Sequence, residues 1–136
     1  MATPKRMEFH VSVDHDGKLL AEQVDVLETG EAWTPEHLVL AALGRCIGAS
    51  LEYHANRASF RSTCAATADG VVTKREDDGR YAFVELSVSV EAELEPAPAE
   101  ADLRELLEKA ERDCFVSASL RATPRYAWRV NGRDVD

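Results

Sequence analysis

The chain has 136 residues, of which 45% are hydrophobic, and its formal net charge is -9. This length and composition predict one globular domain over residues 1–136 and exclude a largely disordered chain. The acidic surface argues against a nucleic-acid backbone or an anionic membrane as a partner. The N-terminus has no apolar signal core and the three cysteines are an odd number. We therefore expect a reducing, cytoplasmic location.

The first part of the chain is predicted to form a β-hairpin. Apolar and polar residues alternate around Val11 and Val13, which is the period of a half-buried strand. Residues 14–17 (Asp-His-Asp-Gly) predict a turn. A second strand is expected from Leu20 to Val26.

A long helix is predicted from Thr34 to Arg57. Thr34 suits the N-cap, and the segment from about residue 39 to residue 51 is almost entirely apolar or small, so the helix should be buried. Gly44 and Gly48 are unfavourable inside a helix, each by about 1 kcal/mol relative to Ala. They predict the close approach of another backbone.

The second half repeats the strand-strand-helix order and adds a strand. One strand begins near Phe60, with a bulge at Asp69-Gly70, and a charged turn over 76–79 leads to a strictly alternating strand over 84–94. A helix from about Ala99 to Asp113 carries one apolar stripe that ends at Cys114, and a short turn over 115–120 precedes a last strand over 126–130. The resulting order, β-β-α-β-β-α-β, predicts the α+β class with largely antiparallel pairing.

Each of the three thiols has a plain interpretation as a buried hydrophobe. Cys46 is in the middle of the long helix, Cys114 ends the second apolar stripe, and Cys64 is predicted to be core. If Cys46 and Cys114 meet, they form a dithiol that can attack an oxidant and close to a disulfide. Metal binding and nucleophilic hydrolysis are weaker interpretations, since the sequence has neither ligand spacing nor a nucleophile elbow. We expect no metal and no cofactor.

Two segments resemble the motifs of the OsmC/Ohr family (osmotically inducible protein C-like, organic hydroperoxide resistance type). Residues 34–46 resemble the motif that runs from a Pro-Glu pair to a helix cysteine, with Glu36 ten residues before Cys46. Residues 110–117 resemble the second-helix signature around Cys114, with Phe115 where the family usually has proline. The element order agrees as well, so the resemblance covers nearly the whole chain.

The resemblance implies an OsmC-like fold, an intertwined homodimer and a thiol peroxidase that reduces small apolar hydroperoxides with a dithiol reductant. It implies that Cys46 is the peroxidatic thiol, that Cys114 is the resolving thiol and that Glu36 belongs to the network that positions an activating arginine. His15 occupies the place of that arginine in this sequence. Lys18 or Arg45 are alternative cations, although Arg45 also suits a structural role at the surface.

Glu36 and Cys46 are predicted to lie on one helix, about 15 Å apart along its axis at about 1.5 Å per residue. No carboxylate that far along a straight helix can touch the thiol. We therefore expect each site to take Glu36 from the other subunit, with the paired helices crossing at Gly44 and Gly48. The alternative is a carboxylate that only stabilises the helix dipole.

Two functions of other classes stay open from the sequence. One is an OsmC-fold dimer that holds an apolar ligand with little turnover. The other is a redox sensor or a structural dimer whose thiols oxidise only slowly.

Overall fold

The computed structural model describes residues 3–136, and the chain divides into two compact units after Glu36. The elements in chain order are β1 (Val11–Val13), β2 (Leu19–Ala21), β3 (Asp25–Leu27), α1 (Pro35–Arg57), β4 (Arg61–Lys74), β5 (Tyr81–Glu95), α2 (Glu100–Arg112), α3 (Phe115–Ser119), β6 (Arg125–Val130) and β7 (Arg133–Val135). The predicted α+β class and the long helix are confirmed, and α1 ends at the predicted residue. The single domain stays a prediction.

The N-terminal unit contains the antiparallel sheet β1-β2-β3. The predicted first turn is confirmed: Asp14 Oδ1 accepts hydrogen bonds from the backbone N–H groups of Asp16 and Lys18, both at 2.9 Å. Gly17 follows with a φ of +82°, which an L side chain would disfavour. The turn is therefore built by the Asp-x-x-Gly sequence itself.

The single strand predicted from Leu20 to Val26 is wrong. Glu22 and Gln23 both have positive φ, 52° and 64°, so the chain reverses there and β3 pairs back onto β2. Two consecutive residues of this kind form a tight hairpin turn that usually contains Gly or Asn. The two turn positions are occupied by Glu22 and Gln23 instead, so the sequence carries no turn signal that would divide the predicted strand.

Apolar side chains of the N-terminal unit are largely exposed. Val11 and Val13 are 61% and 63% exposed, so the prediction that they are half-buried is wrong for this chain by itself. Phe9, Val24 and Trp33 are also exposed. Exposed apolar groups in such number are typical of a surface that another molecule covers.

The C-terminal unit contains the sheet β4-β5-β6-β7. The β4–β5 and β6–β7 pairs are antiparallel, as predicted for most of the sheet, whereas β6 runs parallel to β5. A parallel pair needs a crossover connection, and α2 with α3 supplies it. The predicted last strand is confirmed, and a turn at Asn131 and Gly132, both with positive φ, extends it into β7.

The core lies between one face of this sheet and the helices α1 and α2. The strict alternation of β5 places five side chains inside, and α1 contributes residues spaced four apart. These residues are Leu86, Val88, Val90, Ala92 and Leu94 on β5, Leu43, Ile47, Leu51 and Ala55 on α1, and Leu106, Leu107 and Ala110 on α2. The predicted apolar stripes of β5 and α2 are therefore confirmed.

The two helix glycines face β4 of the same chain. A Cβ added at Gly48 would lie 3.1 Å from Cys64 Sγ, and one added at Gly44 would lie 3.9 Å from Ala66 Cβ. Within the chain the contact is therefore tight only at Gly48, and it is made by a side chain of β4 rather than by another backbone. The predicted crossing of two helices in a dimer stays a prediction. Cys64 was predicted to be core, and this is wrong: the residue is exposed, although its sulfur faces Gly48.

The register shift in the β4–β5 pair lies between Val71 and Val72 and not at Asp69-Gly70. Gly70 is instead required by packing, because a Cβ there would lie 2.7 Å from Cε1 of Phe83. The missing side chain makes room for the ring on the neighbouring strand.

Candidate active site

One face of α1 is directed at the C-terminal end of α2. Cys46, Ser50 and His54 follow one another at intervals of four residues, so they lie in a row along this face. The Ser50 hydroxyl donates a 2.7 Å hydrogen bond to the carbonyl oxygen of Ala110. His54 Nε2 lies 2.7 Å from Asp113 Oδ2. These two contacts fix the end of α2 against α1.

The structure brings Cys46 and Cys114 together. Cys114 follows the end of α2 and is fully buried, whereas Cys46 is partly accessible. Both are free thiols, and their side chains are close enough to influence one another through hydrogen bonding and charge.

The third thiol, Cys64, lies on β4 and its sulfur faces Gly48 of α1. Burial is the main cause that raises the pKa of Cys64, and the Glu52 charge raises it further.

The surroundings of Cys114 disfavour its thiolate. Burial is the main cause that raises the pKa of Cys114, and the neighbouring Cys46 raises it further. Two donors act in the opposite direction and lower this pKa, namely the backbone N–H of Ser117 and the hydroxyl of Tyr126. Cys114 is therefore a protonated thiol with two donor groups near its sulfur.

Tyr126 and Ser117 were missed as site residues from the sequence. Tyr126 lies on β6 with its ring stacked near Trp128, at 6.4 Å between ring centroids. Burial, with a smaller effect of the Cys114 charge, raises the pKa of Tyr126 to about 12. The signal was available: Tyr126 lies on the same face of its strand as the buried Trp128 and Val130, and a buried tyrosine hydroxyl usually needs a partner.

A charged group lies directly beside Cys114 in the sequence. The Arg112 guanidinium, and after it His54, lowers the pKa of Asp113 to about 2. The guanidinium is bidentate, with both N···O distances at 3.0 Å. Asp113 is thus ionised across the working pH range and joins the two helices next to the thiols.

Glu36 and His15 both belong to the N-terminal unit. Glu36 lies in the first turn of α1, His15 lies in the turn between β1 and β2, and both are exposed. Lys18 forms an ion pair with Glu28 at 3.5 Å, and Arg45 is exposed. The roles predicted for Glu36 and His15 stay predictions.

Comparison with known proteins identifies the family. The sequence profile of the family described as OsmC-like protein matches residues 28–129. The chain belongs to the OsmC-like family. A comparison with curated protein sequences gave no match.

Solved structures of OsmC-like proteins share this fold at low sequence identity. An OsmC-like protein of unknown function from Vibrio cholerae is 12% identical with a TM-score of 0.73, covering 91% of this chain and 100% of that one. The organic hydroperoxide resistance protein OhrB of Bacillus subtilis is 18% identical with a TM-score of 0.54, covering 91% and 96%. A putative organic hydroperoxide resistance protein from Vibrio cholerae, with captopril bound in one of its active sites, is 22% identical with a TM-score of 0.61, covering 99% and 97%.

The helices were also compared with the requirements of a membrane span. Across residues 3–136, none of them combines the length and the apolar character that crossing a membrane requires.

Proposed function

We propose that this OsmC-like protein is a thiol-dependent peroxidase that reduces organic hydroperoxides through a Cys46 sulfenic acid and a Cys46–Cys114 disulfide. The observation that carries the proposal is the meeting of two free thiols, a partly accessible one in α1 and a buried one that follows α2. Two similar structures described as organic hydroperoxide resistance proteins support the same reaction class. Three free thiols suit a reducing compartment, so we propose a cytoplasmic reaction.

The reaction begins at the more accessible thiol. The Cys46 thiolate attacks one oxygen of the O–O bond, and the alkoxide that leaves takes a proton to become an alcohol. The Cys46 sulfenic acid then reacts with the Cys114 thiol, forming the disulfide and releasing water. A dithiol donor supplies two electrons and two protons, returns both cysteines to thiols and is itself oxidised to a disulfide.

Apolar side chains surround the thiol pair. Cys114 belongs to the buried core cluster together with Leu43 and Ile47, and Cys46 packs against that cluster. Apolar walls favour the binding of a peroxide that carries an alkyl group over a peroxide that is strongly hydrated. We therefore expect alkyl hydroperoxides to react faster than hydrogen peroxide.

The working protein is proposed to be a homodimer. The exposed apolar side chains of the N-terminal unit, Phe9 and Val24 among them, are the surface that a second copy would cover. Glu36 and His15 would then act on the thiols of the partner subunit. Mixing subunits that carry Glu36→Gln with subunits that carry Cys46→Ser should restore one working site per heterodimer. If the mixture is no more active than its two parents, the shared site is wrong.

The peroxidase is tested by thiol titration. One equivalent of cumene hydroperoxide is added to the reduced protein, and the loss of free thiols is followed in the wild type, in Cys46→Ser and in the control Cys64→Ser. We expect rapid loss of two thiols per chain in the wild type and in Cys64→Ser, and no rapid loss in Cys46→Ser. Equal loss in Cys46→Ser and the wild type would refute the assignment of Cys46.

A slow redox sensor is the second candidate, and the burial of Cys114 favours it. Burial raises the pKa of Cys114 and so opposes the second step. In that case the thiols are lost over hours rather than seconds. An apolar-ligand binder is distinguished by tight binding of a fatty acid with no loss of thiols.

A further inference from the structure

The hydroxyl oxygen of Tyr126 is buried and has no hydrogen-bond partner that meets normal geometry. Buried hydroxyl groups are nearly always hydrogen-bonded, since an unpaired one has lost its contacts with water. An exception of this kind in the interior calls for an explanation. The position of the group next to a reactive sulfur offers one.

The Tyr126 hydroxyl is held beside the Cys114 thiol and the Ser117 hydroxyl. Two features fix the ring there: Tyr126 pairs with Val88 in the parallel β5–β6 ladder, and its ring stacks near Trp128. The hydroxyl is close enough to Cys114 for hydrogen bonding to affect both groups. The hydroxyl nevertheless makes no hydrogen bond to the sulfur, and a neutral thiol is a weak acceptor.

A charged sulfur attracts the Tyr126 hydroxyl more strongly than a neutral thiol does. A thiolate is a much better acceptor than a thiol, and hydrogen bonds to ionised groups are the stronger ones. Tyr126 keeps its proton up to about pH 12, the value to which burial raises its pKa, so it is a donor at every relevant pH. The Ser117 backbone N–H, which makes no cap hydrogen bond to the Cys114 side chain in the thiol form, is a second donor to the same sulfur.

We propose that the Tyr126 hydroxyl donates a hydrogen bond to the Cys114 sulfur whenever that sulfur carries negative charge, and so assists both formation and reduction of the Cys46–Cys114 disulfide. The role in disulfide formation rests on the proposed peroxidase. Its role in reduction depends only on the thiol pair.

The charge appears on Cys114 at two points. In closure, the Cys114 thiol loses its proton, its thiolate attacks the Cys46 sulfur, and the hydroxide that leaves the sulfenic acid takes up a proton to give water. In reduction, a thiolate of the dithiol donor attacks the Cys46 sulfur, the S–S bond breaks and Cys114 leaves as a thiolate, which then takes up a proton. Tyr126 stabilises the Cys114 thiolate in both steps and keeps its own proton throughout.

The test compares Tyr126→Phe with the wild type and with Tyr81→Phe. Phenylalanine keeps the ring beside Trp128 and removes only the hydroxyl, whereas Tyr81 is 71% exposed on β5 and serves as the matched control. Each reduced protein is mixed with one equivalent of cumene hydroperoxide and quenched with acid at set times. Mass spectrometry then measures the fractions of the sulfenic acid and disulfide forms. A second arm follows reduction of the purified disulfide by dithiothreitol.

We expect Tyr126→Phe to form the sulfenic acid at the wild-type rate, but to close and to be reduced at least about tenfold more slowly, the effect of one hydrogen bond to a charged group. The pH at which closure reaches half its maximal rate should rise, because the Cys114 thiolate has lost a donor. The reduced variant should unfold at no lower urea concentration than the wild type, since no formed bond is lost. Tyr81→Phe should match the wild type in every measurement.

The two proposals fail in different ways. If the wild type forms no sulfenic acid, the peroxidase is wrong, and the dithiothreitol arm still decides the role of Tyr126. If closure and reduction in Tyr126→Phe both stay within threefold of the wild type, the inference about Tyr126 is wrong.

Discussion

Gly48→Ala provides a direct test of how closely α1 and β4 pack. An added Cβ would lie 3.1 Å from Cys64 Sγ, whereas the same change at Gly44 places the Cβ 3.9 Å from Ala66 Cβ, an ordinary contact. Replacing a glycine by alanine inside a helix gains about 1 kcal/mol of stability when nothing interferes. Gly44→Ala should therefore stabilise the protein by about that amount.

The contact with Cys64 should remove most of the gain at Gly48. Overpacking a close contact typically costs about 1–3 kcal/mol, less where a side chain can rotate away. We expect Gly48→Ala to be neutral or destabilising in the wild type. In a Cys64→Ala background the sulfur is gone, and the same change should stabilise by about 1 kcal/mol. The double-mutant cycle should thus give a coupling of at least about 1 kcal/mol.

The assay is urea unfolding under reducing conditions at one fixed protein concentration, because the stability of a dimer depends on concentration. Modification of Cys64 by a thiol reagent is a second measurement. If Gly48→Ala turns the sulfur outward, away from the burial that raises the Cys64 pKa, the reagent should react faster. Equal stabilisation by Gly44→Ala and Gly48→Ala in the wild-type background would refute the packing argument.

Two further predictions concern the end of α2. Ser50→Ala leaves the buried Ala110 carbonyl without its 2.7 Å donor, so it should lose about 1–2 kcal/mol in urea unfolding, whereas the exposed control Ser89→Ala should change little. Asp113 has a pKa of about 2 in the folded protein, mainly because of Arg112, against 3.8 unperturbed. Its stabilisation is fully present above pH 3.8 and is lost as the pH falls toward 2. When the pH falls from 5 to 2, the melting temperature of Asp113→Asn should therefore fall less than that of the wild type. An equal fall in both proteins would contradict this pKa.

The sequence by itself determined the long helix α1 and the alternating strand β5. The existence of α1 follows from a nearly continuous run of apolar and small residues that is preceded by a proline at the start of the helix. The β5 core follows from alternation, which has the period of a strand. The turn at Asp14 to Gly17 was equally local. Each of these features depends on residues that are close together in the chain.

Only the tertiary structure decided what surrounds the thiols. Cys64 shares the apolar pattern of its strand but is exposed, since burial depends on which element covers the strand.

The turn at Glu22 and Gln23 could not be predicted from the sequence, because neither residue favours positive φ by itself. Tyr126 on β6 lies beside Cys114, which follows α2, and this contact depends on how the end of α2 packs on the sheet rather than on a local pattern. The family resemblance pointed to Cys46 and Cys114, but neither it nor the local patterns pointed to Tyr126, which lies beside Cys114.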